Sequence, residues 1–325
     1  MKDKIRGNIM LILTAMIWGL SFVAQKSGLD YIGPLAFNGL RTVIGGITLI
    51  PVIILLDRHK RNRRKTEGSA ADADAVSLRE KHTANKQERK TLITGGICCG
   101  CALLVASNIQ QIGLIYTTAG KSGFITAMYV VLVPILGLFL GRRIRPVIWL
   151  CVIASAAGLY LLCIPAGGGF GQINTGDIMT SGAALVFAIH IMIIDHFSPR
   201  VDGVKLSCLQ FFVAGSLSLA LIWLDPLLGF ELPSLHTLTA AWLPLLYSGV
   251  LSCGAAYTMQ VVAQAKTDPA IASMIMCLES VFAVISGMII LGESMAMREV
   301  IGCLIMFAAI VVSQLPAKNA EPTLK

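Results

Sequence analysis

Long apolar runs recur ten times along this chain, at approximately 8–26, 33–56, 92–114, 119–140, 146–164, 177–196, 204–224, 239–262, 269–291 and 298–315. About 20 apolar residues in helical form cross the roughly 30 Å core of a bilayer, where each backbone N–H and C=O must be bonded inside its own segment. Ten such runs predict an all-α integral membrane protein with ten transmembrane helices. Composition closes the other routes: 55% of the 325 residues are hydrophobic and 14% charged, against about 25% charged in a soluble domain. What lies between the runs is too short for a separate soluble enzyme domain.

The first run follows Lys2, Lys4 and Arg6 and imitates a signal peptide, but nothing like a cleavage site and a soluble domain comes after it. It is read as a retained first helix. A net charge of +8 invites nucleic acid, yet that partner needs basic residues gathered on one folded face. Here they fall between apolar runs, so no nucleic-acid partner is expected. All nine cysteines lie within apolar stretches. They read as small buried hydrophobes, because zinc needs thiolates that hydrocarbon disfavours. Neither a metal nor a cofactor is expected; the partners are the lipid bilayer and a small-molecule solute.

When the connections are assigned alternately to two sides, 22 of the 26 lysines and arginines fall on the side of the N-terminus. The positive-inside rule then puts both termini in the cytoplasm of a multi-pass plasma (inner) membrane protein. Nine or eleven spans would destroy that separation. The one long connection, 57–90, has almost no large apolar residues and charges of both signs. It is expected to be a disordered cytoplasmic loop, since it has little to bury in return for its ordering entropy.

An internal repeat underlies the ten runs. Residue n against n+169 aligns GNIMLILTAMIWGLSFVAQK (7–26) with GDIMTSGAALVFAIHIMIID (176–195), and later the offset becomes 151, pairing Leu140 and Gly141 with Leu291 and Gly292. The difference of 18 residues is what an enlarged loop after the second span produces. The expected halves are 7–165 and 176–316. Each holds five spans, an odd number, so the second half starts on the opposite side of the membrane. Inverted halves of this kind recur in secondary carriers, with the solute site near the midplane between them.

The chain also resembles the EamA-type members of the drug/metabolite transporter superfamily. The resemblance rests on IWGLSFV (17–23), the helix of Arg41, YVVLVPILGLFLG (129–141) and LESVFAVISGMIILGE (278–293), and it covers all but the long loop. The chain departs from the family where Glu-Pro is replaced by Glu279 and Ser280, and where Leu-Gly-Glu, present at Leu291, Gly292 and Glu293, gives way to Gly141, Arg142, Arg143 in the first half. The resemblance implies a secondary transporter, not an enzyme, moving a small polar or zwitterionic, amino-acid-like metabolite, with export among the directions it implies.

Charged groups at mid-bilayer persist where a bundle or cavity satisfies them. Glu279 lies ten residues into the ninth span, close to the midplane, and is the first candidate to hold a cationic group or exchange a proton. Arg41, in the second span, has the two-pronged guanidinium that suits a carboxylate. His190, in the sixth, is of the residue type that titrates near neutrality. Trp18, Phe22, Tyr129, Tyr257, Gln25, Asn108, Gln111 and Gln260 are candidate lining for a small amphipathic solute. Each has a plainer reading as helix packing or interhelical hydrogen bonding. Pro134 is the expected bend of the fourth span. In TTAGKSG (117–123), the last residues imitate the end of a phosphate loop without its first glycine. Ser122 with His190 imitates a rhomboid-like protease pair, which together with a channel or signalling protein forms the alternative to a carrier.

Overall fold

The computed structural model describes residues 2–66, 75–163, 174–291 and 296–315. Described residues in regular structure are helical: α1 (Lys2–Gly28), α2 (Pro34–Thr66), α3 (Ala75–Tyr116), α4 (Ala119–Ala127), α5 (Tyr129–Phe139), α6 (Pro146–Cys163), α7 (Thr175–Phe197) and α8 (Gly203–Ala220). After a short 3₁₀ segment follow α9 (Leu235–Ala240), α10 (Trp242–Leu246), a π-helical stretch Tyr247–Tyr257, α11 (Thr258–Gln264), α12 (Pro269–Met276), α13 (Glu279–Leu291) and α14 (Met297–Gln314).

Seven helical segments are long and apolar enough to cross a membrane, and three shorter apolar helices lie at Pro146–Leu161, Pro269–Ala283 and Val300–Ser313. The molecule is apolar outside and carries its polar groups inside. Phe139, Leu150, Ile178 and Leu304 are exposed, whereas Arg41, Asn38, Gln111, Gln210, Gln260 and Glu279 are buried. In water this arrangement would forfeit the hydrophobic driving force on both counts. In a bilayer it is the favourable one, because lipid covers the exterior and each interior polar group finds partners on neighbouring helices.

The charged connection departs from expectation at both ends. The second helix runs on to Thr66 and the third begins at Ala75, so much of 57–90 is helical, while 67–74 lies outside the described residues. Arg, Lys, Glu, Gln and Ala are good helix formers, and a long apolar helix already nucleated beside them needs only to propagate.

Two helices are interrupted mid-path. What the sequence presents as one fourth span breaks at Met128, between α4 and α5, with Pro134 inside the second piece and not at the break. The ninth span breaks at Cys277–Leu278, between α12 and α13, directly before Glu279 and without a proline. Residue 128 plus the repeat offset of 151 is 279, directly after the Cys277–Leu278 break, so the two breaks fall within two residues of corresponding repeat positions.

Small residues set the close approaches. A Cβ on Gly19 of α1 would lie 2.7 Å from the Glu279 carbonyl oxygen and 2.8 Å from the Ala283 nitrogen, both backbone atoms of α13. Antiparallel to α1 runs the π-helical stretch, bonded by Ser21 Oγ to Ser252 Oγ at 3.1 Å and by Thr14 Oγ1 to the Ala256 carbonyl at 3.0 Å.

Polar contacts gather at alternate helix ends. At one end Lys26 Nζ donates to the carbonyls of Leu114 and Thr117, Thr117 bonds Asp177, and Asp225 accepts from the backbone N–H groups of Leu35 and Ala36. At the other, three ion pairs join the two repeat halves: Arg142 with Asp195, Lys60 with Asp202 and Lys205 with Asp57.

Candidate functional site

Both interrupted helices deliver a side chain to the same point. Tyr129 is the first residue of α5 and Glu279 the first of α13, and the Tyr129 hydroxyl donates to Glu279 Oε1 at 3.1 Å. Glu279 opens the first turn of α13, where the positive end of a helix favours a negative group, although the N–H groups of Ser280 and Phe282 are themselves bonded to the carbonyls of Cys277 and Leu278. Glu279 is 3% exposed and meets no cation among the described residues.

Around this pair lies a narrow, partly open cavity. Nine residues singled out in the sequence line it, among them Glu279, Arg41, His190, Trp18, Tyr129 and Tyr257. Trp18 and Tyr257 stack at 4.6 Å between ring centroids, tilted by 60°, giving the cavity an aromatic wall. Arg41 is 3% exposed, donates through Nε to Asn38 Oδ1 at 2.6 Å, and sits 5.9 Å from the Phe37 ring. His190 is bonded through Nε2 to Gln210 Oε1 at 3.0 Å.

Gln111 does not line the cavity. Its amide donates to the Gln25 carbonyl at 3.1 Å, and the neighbouring Gln110 faces the cavity instead, bonded to Thr126 at 2.8 Å. One residue turns a helix by about 100°, so composition alone does not tell which of two adjacent glutamines points inward. Gln25, Gln260 and Phe22 line the cavity as expected, and Asn108 does not. Missed by the sequence were Ser21, Thr126, Phe187, Ile191 and Ser252. Ser252 sits on the π-helical stretch, whose extra residue per turn has no composition signature, although such stretches often mark functional sites. Lys26 and Asp195, matched by the repeat, lie at opposite helix ends in the contacts already described and not in the cavity.

The protease pair is not assembled. Ser122 Oγ is buried without a hydrogen-bond partner among the described residues, and the imidazole of His190 is engaged by Gln210. No group of three or more His, Cys, Asp or Glu suited to a metal occurs among the described residues.

Comparison with known proteins agrees with this architecture. Residues 5–164 and 174–314 each match the EamA-like transporter family. A protein of Archaeoglobus fulgidus named only as an uncharacterized transporter is 28% identical over 314 residues, 95% of this chain and 86% of its own. Another uncharacterized transporter, from Clostridium kluyveri, is 23% identical over 327 residues, 97% of this chain and 95% of its own. A solved crystal structure 17% identical in sequence superposes with a TM-score of 0.69, covering 95% of this chain and 96% of that one, and so has the same fold. With two matched stretches that together span nearly its whole length, the chain belongs to the EamA-like transporter family and through it to the drug/metabolite transporter superfamily: a multi-span membrane transporter, not an enzyme.

Proposed function

We propose that the protein is a secondary carrier that moves a small zwitterionic, amino-acid-like metabolite by alternating access between two inverted five-helix halves, 7–165 and 176–316, with both termini in the cytoplasm. One observation carries the reading. Arg41 and Glu279, of opposite charge, are both buried against a single cavity, and neither has a charged partner among the described residues. Isolated buried charges are costly unless something compensates them. A solute bearing a carboxylate and an ammonium group would compensate both at once, and the aromatic wall of Trp18 and Tyr257 would cover its apolar part.

The paired helix breaks support the inverted arrangement, since discontinuous helices at corresponding repeat positions are how such carriers build a midplane site. The ion pairs at one set of helix ends link the halves where the basic connections lie, which fits a cytoplasmic face closed by contacts that can separate. The driving force would be a gradient of solute or protons.

The test is a comparison of small metabolites inside cells and in the medium, between cells lacking the protein and cells overproducing it, followed by exchange in proteoliposomes loaded with a labelled amino-acid mixture. Redistribution of one or a few amino acids is the expected result. Unchanged amino-acid distribution, with the protein fully inserted, rejects the proposed solute class.

A further inference from the structure

Arg41 is held from behind by a chain of amides that does not line the cavity and ends at Asn108 beside a separate apolar groove. Its Nε donates to Asn38 Oδ1 at 2.6 Å, Asn38 Nδ2 donates to Asn108 Oδ1 at 2.8 Å, and Ser218 Oγ donates at 3.0 Å to the same Asn108 oxygen, sharing its proton with the Leu35 carbonyl. Asn38, Asn108 and Ser218 are all buried, and none lines the cavity.

The direction of this chain is fixed by chemistry. A guanidinium only donates, so the atom of Asn38 facing it must be oxygen. The Asn38 amide nitrogen then faces Asn108, which must answer with its own oxygen. Neither amide can be flipped without placing two donors or two acceptors against each other. The chain occupies the Nε edge of Arg41, and among the described residues nothing accepts from its two Nη groups.

We propose that Asn38, Asn108 and Ser218 are positioning residues that clamp Arg41 by its Nε edge, so that its two Nη groups receive a planar two-oxygen anion, a carboxylate, end-on in the cavity. The inference rests on the reading of Arg41 as the group that binds the solute's anion. Two parallel N–H···O bonds demand a fixed plane, and a guanidinium free to turn about its own stem would lose that geometry before losing its charge. Arg41, Asn38 and Asn108 lie in the first matched stretch and Ser218 in the second, so the last link of the chain joins the two halves. A chain that merely satisfies buried polar groups would matter for stability and leave solute choice untouched.

The experiment uses the full-length protein in proteoliposomes and takes as probes each of the twenty common L-amino acids beside its α-carboxamide, with uptake expressed per inserted molecule. The native carrier should prefer the acid over the amide in the pairs it transports. Asn108→Leu keeps the branched skeleton and removes the acceptor. It should lower the acid-to-amide ratio about 2- to 10-fold, the effect of a lost hydrogen bond between neutral groups, through the KM of the acid with maximal rate little changed. Asn108→Asp, which keeps an oxygen for both donors, should restore the ratio; Ser218→Ala and Asn38→Ala extend the test should Asn108→Leu insert poorly. An unchanged ratio in these variants, with only thermal stability reduced, overturns the proposal. Arg41→Gln separates the two levels: a ratio lost there but kept in Asn108→Leu overturns the clamp alone, whereas a ratio kept in Arg41→Gln, or native protein that takes up no amino acid, overturns the Arg41 reading with it.

Discussion

Glu279 brings a buried carboxyl group to the cavity, and its surroundings give two separable expectations. Glu279→Gln keeps the shape and can still accept from Tyr129, but it cannot ionise. If the carboxylate holds a cationic group or a proton, the variant should insert normally, transport at least about 10-fold more slowly per molecule and lose the pH dependence of transport. Normal rate and normal pH profile in well-inserted Glu279→Gln would remove it from the site. Tyr129→Phe takes away one hydrogen bond to a charged group at 3.1 Å, a loss of about 1.5–3 kcal/mol where no water replaces it. It should weaken transport less than Glu279→Gln while preserving the pH profile, and the two measured side by side rank the hydroxyl against the charge. The sequence made Glu279 a candidate through its depth in an apolar span and Tyr129 as aromatic lining for a small solute. That they touch was not legible, because 150 positions separate them and only the crossing of two broken helices brings them together.

Among the elements, α1 is fixed by how closely it can lie on α13. Gly19→Ala would set a methyl group 2.7 Å from the Glu279 carbonyl oxygen, and backbone on a packed helix yields only by moving the helix. The expected outcome is a loss of about 1–3 kcal/mol in stability, read as a lower melting temperature in detergent. Glu279 sits at the displaced contact, so transport should fall as well. A melting temperature equal to the native one would mean that the two helices are not packed as described. At the start of α8, Asp202 accepts from Val204 N–H and Lys205 N–H and pairs with Lys60 at 2.7 Å. Burial pushes its carboxyl upward, but the Lys60 pair and the backbone donors outweigh that and hold it below its ordinary 3.8. A depressed folded pKa contributes stability above the unfolded value and loses it as pH falls through the folded one. Asp202→Asn keeps the cap but removes the charge, so it should cost on the order of 0.5 kcal/mol at neutral pH, the pair being largely open to solvent. The gap in melting temperature between the two proteins should narrow as pH drops below 3.8; a gap that persists or widens there would assign the effect to something other than ionisation.

At the scale of the whole molecule, the proposed topology is checked by single cysteines in a background where the nine native ones have been replaced. Leu235, 80% exposed at the start of α9, should label from outside intact cells with a membrane-impermeant maleimide; the exposed Gln87 should label only after permeabilisation. Outside labelling of Gln87 would reverse the orientation, and labelling of both from one side would break the alternation on which ten spans and inverted halves depend. What the sequence determined by itself follows from local rules. Hydrocarbon tolerates only segments that satisfy their own backbone, so apolar length dictated helices and membrane. The alternation of basic connections and the repeat offsets divided the chain into halves, and the cost of charge in lipid marked Glu279 and Arg41. The tertiary structure decided what depends on rotation about helix axes and on contacts between distant segments. It chose Gln110 over Gln111, moved the break of the fourth span from Pro134 to Met128, drew Ser252 into the cavity on a π-helical stretch and set the Asn38–Asn108–Ser218 chain behind Arg41. The physical reason is that in a helix apolar on nearly every side the period of hydrophobicity is lost, so the sequence no longer says which face is turned inward; only the packing of one helix on the next does.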